Sequence, residues 1–310
     1  QQAEYIVWGS NGDMPVSRPV PCLPGVFKYG NPQNRIHLTE KPLQLMQDAP
    51  SIERITFDVL STLARQGHVY DEVRFAPQLH TRQALCQQDA IEAVLAGRAR
   101  ALRAFPDYRC GILLCCMCIG PETVNMQENL QTVRLTRQYL GSGVVGLDLA
   151  GAEGIVPLEN FHPIFDLARE LSLPFTCHAG DSQGPETVRA ALDFGAKRIG
   201  HGHHIYDDPT LWPRAIRQGV TLEICPTSNI QCKTQPSYAL HPAKRLLDAG
   251  LRVTISTDNM TLAAVSLADE YRHCVEDMGF TGEDLRTMAR YALDAAFLPE
   301  AEKREIAGKF

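Results

Sequence analysis

The chain has 310 residues, 44% of them hydrophobic and 21% charged, with a formal net charge of −6 and a pI near 5.9. That length buries a core without disulfide or metal staples, and the acidic balance excludes the basic face that nucleic acid or an anionic membrane would require. The 23 Gly and 20 Pro are dispersed, which excludes collagen-like and low-complexity chains.

The first predicted strand is Tyr5 to Trp8, in a segment punctuated by Pro15, Pro19, Pro21, Pro24 and Pro32. A helix follows from Ser51 to Arg65, where Ile52, Ile55, Val59 and Leu63 recur at three- and four-residue steps. Strands are then expected at Val69 to Phe75, Cys110 to Met117, Val144 to Leu149, Pro174 to Cys177, Arg198 to His201, Val220 to Ile224 and Val253 to Ser256. Helical periodicity fills the intervals at Ala90 to Ala104, Asn125 to Tyr139, Phe161 to Leu171 and Pro185 to Phe194. Gly67, Gly195, Gly219 and Gly250 stand where helices should end before the next strand. Three helices close the chain, at Leu262 to Met278, Thr281 to Ala296 and Glu300 to Ala307.

Eight strands each followed by helical sequence predict an α/β protein, a (β/α)8 TIM-type barrel in a single domain over 1–310; a doubly wound open sheet is the alternative. Of ten cysteines, four fall in the apolar run Cys110 to Cys118, which reads as a buried strand too short to cross a bilayer. No secretory leader pattern opens the sequence, so a cytoplasmic, reduced location is expected, with the cysteines as packing residues. Oligomeric state is not legible.

In a barrel of this kind chemistry collects at the C-terminal ends of the strands. Those ends read Asp148-Leu-Ala-Gly151-Ala-Glu153, His178-Ala-Gly-Asp181, His201-Gly-His203-His204, Glu223-Ile-Cys225-Pro-Thr-Ser228-Asn229 and Thr257-Asp258-Asn259. Any one polar residue after a strand is ordinarily a turn former or helix cap. Two imidazoles and a carboxylate facing one axis suit hydrolysis or metal binding better.

These segments, with Val73-Arg-Phe-Ala-Pro77, His241-Pro242 and Phe297-Leu-Pro-Glu-Ala-Glu-Lys303, resemble the adenosine deaminase family of the amidohydrolase superfamily in order and spacing, from about Leu43 onward. The resemblance implies hydrolysis of a purine 6-amino group with zinc at the site. It implies His178 and Asp258 as metal ligands, and His201 as the residue that orients and deprotonates water. Asp181 stands where the family has a glutamate that protonates purine N1, Asn259 would contact N7, and Gly151 would offer N3 a backbone contact. The implied partner is a small purine-nucleoside-like substrate, with neither nucleic acid nor membrane involved.

The segment 1–42 departs from the family. The His-x-His pair that supplies two zinc ligands is replaced, in the best register, by Ile6 and Trp8, and no His precedes His37. His37 and His80 read as surface or packing residues, and Trp8 as a plug or a stacking partner. The expected function is therefore an adenosine-deaminase-like hydrolase with lost or altered zinc dependence, in which Asp181, His201 and Asp258 do the acid–base work. The alternatives are ordinary zinc-dependent deamination with a divergent first strand, and a non-catalytic purine-binding homologue.

Overall fold

The computed structural model describes residues 43–308; the expected strand Tyr5 to Trp8, with Ile6, Trp8 and His37, lies outside them. Seven strands alternate with helices: β1 (Tyr70–Phe75), β2 (Arg109–Cys118), β3 (Val144–Gly151), β4 (Thr176–Ala179), β5 (Arg198–His201), β6 (Thr221–Ile224) and β7 (Arg252–Ile255). All pair in parallel, β1-β2-β3 and β4-β5-β6-β7, and a parallel bridge from Leu147 to Phe175 joins the two sets.

Closure is read from side chains. In a flat sheet of this order β1 and β6 would lie five spacings apart, about 24 Å. Instead Arg74 Nη2 on β1 lies 2.7 Å from Glu223 Oε2 on β6, and Arg198 on β5 pairs with Glu72 on β1. The sheet is curled into a barrel, which disposes of the open-sheet alternative. Among the described residues β7 and β1 are its ends, and they flank a cavity of about 570 Å³ that also reaches Asp258 and Asn259.

The helices form for local reasons. In Ala49–Arg65, Asp48 caps by accepting the Ser51 N–H at 2.8 Å, and Ile52, Ile55, Val59, Leu60 and Leu63 make the buried face. Helices Pro185–Phe194 and Trp212–Gln218 end at Gly195 (φ 83°) and Gly219 (φ 64°), left-handed positions that favour glycine. One expectation fails: Leu262 to Met278 is not continuous. A short helix, Met260–Ala263, stops at Ala264 (φ 52°) and a second, Leu267–Glu276, starts from Ser266. Ser266 and Asp269 cap each other's backbone N–H groups, a stronger local signal than the apolar period that runs through them.

Of the nine described cysteines seven are buried as expected, while Cys86 is exposed and Cys232 half-buried. Cys110, Cys115, Cys116, Cys118 and Cys177 are buried free thiols, and burial pushes the Cys110 thiol up to about 12. His80 is likewise a packing residue: its Nδ1–H donates to the Met46 carbonyl at 2.8 Å and its ring lies 5.8 Å from Phe75. Its burial lowers the imidazole pKa to about 4.

Candidate functional site

The barrel floor is a buried ion network. Arg74 bridges Asp148 (3.2 Å) and Glu223 (2.7 Å), and Arg198 pairs with Glu72 and Glu223. One layer up, Asp148 also meets His178 Nδ1 at 3.0 Å, and the Leu149 carbonyl lies 3.1 Å from the same nitrogen. Both partners only accept, so Nδ1 carries a proton. Burial pushes the Asp148 carboxyl up, but His178 and Arg74 outweigh it and hold it well below the usual range.

Asp181 lies two residues beyond β4, almost wholly buried. Its Oδ1 accepts from Asn229 Nδ2 (2.8 Å) and Thr234 Oγ1 (3.2 Å), with His203 Nε2 at 3.4 Å. Burial alone would raise its pKa; the His201 and His203 imidazoles more than offset that and keep it well below normal. Sequence reasoning passed over His203 as lying beyond the strand end, yet it is fully buried and bonded to Asp181 and, through Nδ1, to Gln235. The chain's His-Gly-His spacing was the available signal.

The loop bearing Asp181 is held by Glu153, which sequence reasoning left among the strand ends. Its carboxylate accepts the backbone N–H groups of Gly180 (2.6 Å), Asp181 (3.1 Å), Ser182 (2.7 Å) and Gln183 (3.1 Å), and the Thr187 hydroxyl at 2.6 Å. Four converging amides fix a loop's backbone far more tightly than its own turn would.

His201 ends β5 and Asp258 follows β7, and both are left-handed, at φ 60° and φ 55°. Such geometry in non-glycine residues is strained and concentrates at functional positions. Ser228 Oγ donates to Asp258 Oδ2 at 2.6 Å, while the adjacent Asn229 reaches Asp181 and His201 Nδ1 (3.1 Å), so one short helix after β6, Pro226–Gln231, ties three strand ends together. The His178 and His201 rings meet edge-on, 5.4 Å apart. Burial lowers the His201 pKa against the opposing pull of Asp181 and Asp258.

Of the nine buried side-chain atoms without a hydrogen-bond partner among the described residues, three, Asp181 Oδ2, His201 Nε2 and Asp258 Oδ1, belong to these strand ends. Buried polar atoms are rarely left so unless something else binds them. The expected trio is thus brought together, each member with one unpaired atom. Gly151 (φ 114°) sits where a Cβ would come 2.3 Å from the Cys118 carbonyl, so close approach to β2 requires glycine there. Asn259 Oδ1 accepts the Leu262 N–H at 3.0 Å as a helix cap, and its donor group is Nδ2.

Zinc is implied by the resemblance, and the donor set tests the fit. His178 offers an imidazole braced by a carboxylate, and Asp258 an unpaired oxygen, but catalytic zinc takes three protein ligands. Among the described residues no group of three or more His, Cys, Asp or Glu could hold a metal ion, so these residues alone do not make a zinc site.

A curled parallel barrel with unpaired acid, base and imidazole groups at its C-terminal rim defines a hydrolase-type α/β barrel. The model of the family described as adenosine deaminase matches residues 36–310. The adenosine deaminase of Haemophilus ducreyi is 38% identical over 268 residues, covering 86% of this chain and 77% of that protein. Among solved structures, adenine deaminase from Arthrobacter aurescens superposes with a TM-score of 0.82 at 22% identity, over 92% of this chain and 85% of that one. The arabidopsis ADAL complexed with IMP gives a TM-score of 0.80 at 26% identity, over 91% and 83%. The chain belongs to the adenosine deaminase family, within the amidohydrolase superfamily, and is a C–N hydrolase with a (β/α)8 barrel fold.

Proposed function

We propose that this chain exchanges the exocyclic amino group of a purine nucleoside or nucleotide for oxygen, with Asp181 and Asp258 moving the protons, His201 hydrogen-bonding the oxygen, and lost or altered dependence on zinc. The observation that carries the proposal is the trio of unpaired buried atoms on three strand ends. Asp181 is held ionised, so it enters the reaction as a base. As the water oxygen bonds to purine C6, Asp181 Oδ2 takes one water proton and passes it to ring N1. Asp258 Oδ1 moves the second proton from the new hydroxyl to the amino group, the C6–N bond breaks, and ammonia leaves. His201 Nε2 faces the oxygen throughout. Asn259 Nδ2 suits N7, which only accepts, and the Gly151 backbone suits N3. The structure of arabidopsis ADAL with IMP argues for including monophosphates among candidate substrates.

One observation favours a second reading. The Asp148–His178 pair is the arrangement that orients a metal-binding imidazole, so zinc-dependent deamination with further ligands from residues outside 43–308 is the competing account. Metal analysis of the purified chain beside an ammonia-release assay on adenine, adenosine and adenosine monophosphate separates the two. Turnover without bound metal, insensitive to chelator and to His178→Ala, is expected; stoichiometric zinc would sink the first reading, and absence of ammonia from every substrate would leave a non-catalytic purine binder.

A further inference from the structure

The proton position on His201 is set by a relay that starts from a backbone amide, the one donor in it whose identity is beyond reassignment. The Ala243 N–H lies 3.2 Å from His241 Nδ1, so Nδ1 accepts and the proton of His241 sits on Nε2. Burial, reinforced by neighbouring imidazoles, lowers the His241 pKa well below normal, in keeping with a neutral ring. Its Nε2–H then donates to Asn229 Oδ1 at 3.2 Å, which orients the amide. Asn229 Nδ2 therefore faces the opposite way, one hydrogen toward Asp181 Oδ1 (2.8 Å) and one toward His201 Nδ1 (3.1 Å).

Each alternative meets a clash. Flipping the amide sets its oxygen 2.8 Å from a carboxylate oxygen and its NH2 against the His241 Nε2–H. Protonating His201 at Nδ1 sets two N–H groups head to head at 3.1 Å, and the compensating contact to Asp181 Oδ1 is 3.5 Å long. Asn229, His201 and His241 are all buried, so water does not relieve either arrangement.

We propose that Asn229 and His241 are positioning residues that fix His201 in its Nε2–H tautomer, so that this ring presents a proton to the site and not a lone pair. His201 is thereby unsuited to be a third metal ligand and suited to donate to an oxygen that gains negative charge. The neighbouring His178 ring, 5.4 Å away, carries a proton on Nδ1. The catalytic consequence rests on the function proposed above; the tautomer itself does not.

Nitrogen-15 NMR of the histidine-labelled full chain reads the tautomer directly, with His201→Gln to assign the signal. A protonated, pyrrole-like Nε2 and a bare, pyridine-like Nδ1 are expected, and the reverse pattern would overturn the proposal. In Asn229→Ala the His201 signals should shift toward the Nδ1–H form or an exchange average. A His201 pattern unchanged in a folded Asn229→Ala protein would show that the relay does not set it. If that variant fails to fold, His241→Phe carries the same expectation through loss of amide orientation. Should the chain hydrolyse purines, Asn229→Ala should lower kcat at least tenfold with KM little altered. The expected tautomer in a chain without turnover would sink the functional reading and leave the relay standing.

Discussion

The floor and the rim of this barrel are both crowded with buried charge, and they differ in how completely it is paired. On the floor each of Glu72, Asp148 and Glu223 faces a guanidinium from Arg74 or Arg198. At the rim Asp181, His201 and Asp258 each keep an unpaired atom, and two of the three sit in strained backbone. Burying charge is tolerable only when it is matched. The floor meets that condition internally and so is scaffold; the rim leaves it to be met by a ligand.

The contrast breaks most sharply at Asp181. Asp181→Asn should lower turnover about 10³-fold, the range expected for loss of an acid–base group, while unfolding shifts little; steady-state kinetics with thermal unfolding checks both. Next comes the floor. Arg198→Met takes the guanidinium from Glu72 and leaves Glu223 with Arg74 alone, and should cost about 3–5 kcal/mol, lowering Tm by roughly 10 °C in a scan.

His80 tests burial without function. Its folded pKa of about 4 lies below the ordinary 6.5, so its neutral form is what the fold accommodates. Its contribution is complete above pH 6.5 and is lost as pH falls through about 4, about 3 kcal/mol in all, of which about three-quarters is gone by pH 4.5. Denaturant unfolding of wild type and His80→Leu at pH 7 and pH 4.5 should show their difference shrinking or inverting by that amount at the lower pH.

Smaller again, Glu153→Gln keeps one acceptor oxygen and turns an NH2 group toward amide donors. Turnover should drop roughly tenfold through displacement of Asp181, seen as a kcat loss. The smallest effect is expected at Cys86, the exposed thiol among the described cysteines: Cys86→Ser should shift stability by under about 0.5 kcal/mol.

Much of this was legible in one dimension. Strand β5 and the helices Pro185–Phe194 and Glu300–Ala307 fall where pattern and caps put them, because apolar periodicity and terminating residues are local properties. The Leu262 to Met278 helix was misread because a period of apolar residues crosses a capping box without interruption. His178, Asp181, His201 and Asp258 stood out as polar residues at strand ends. Glu153, His203, Asn229 and His241 stood in the same motifs without a legible role, since their importance lies in which donor meets which acceptor between segments far apart in sequence.

The sequence by itself determined an alternating β/α chain, the strand ends where chemistry collects, and membership of a deaminase-like group through their joint spacing. Tertiary structure alone decided that the sheet closes, that one short helix ties Asp181, His201 and Asp258 together, and that the His201 proton is held on Nε2. The division has a physical reason: helix and strand formation is governed by neighbours along the chain, whereas a proton's position on a ring is set by hydrogen bonds that exist only once the barrel has brought distant residues within about 3 Å of one another.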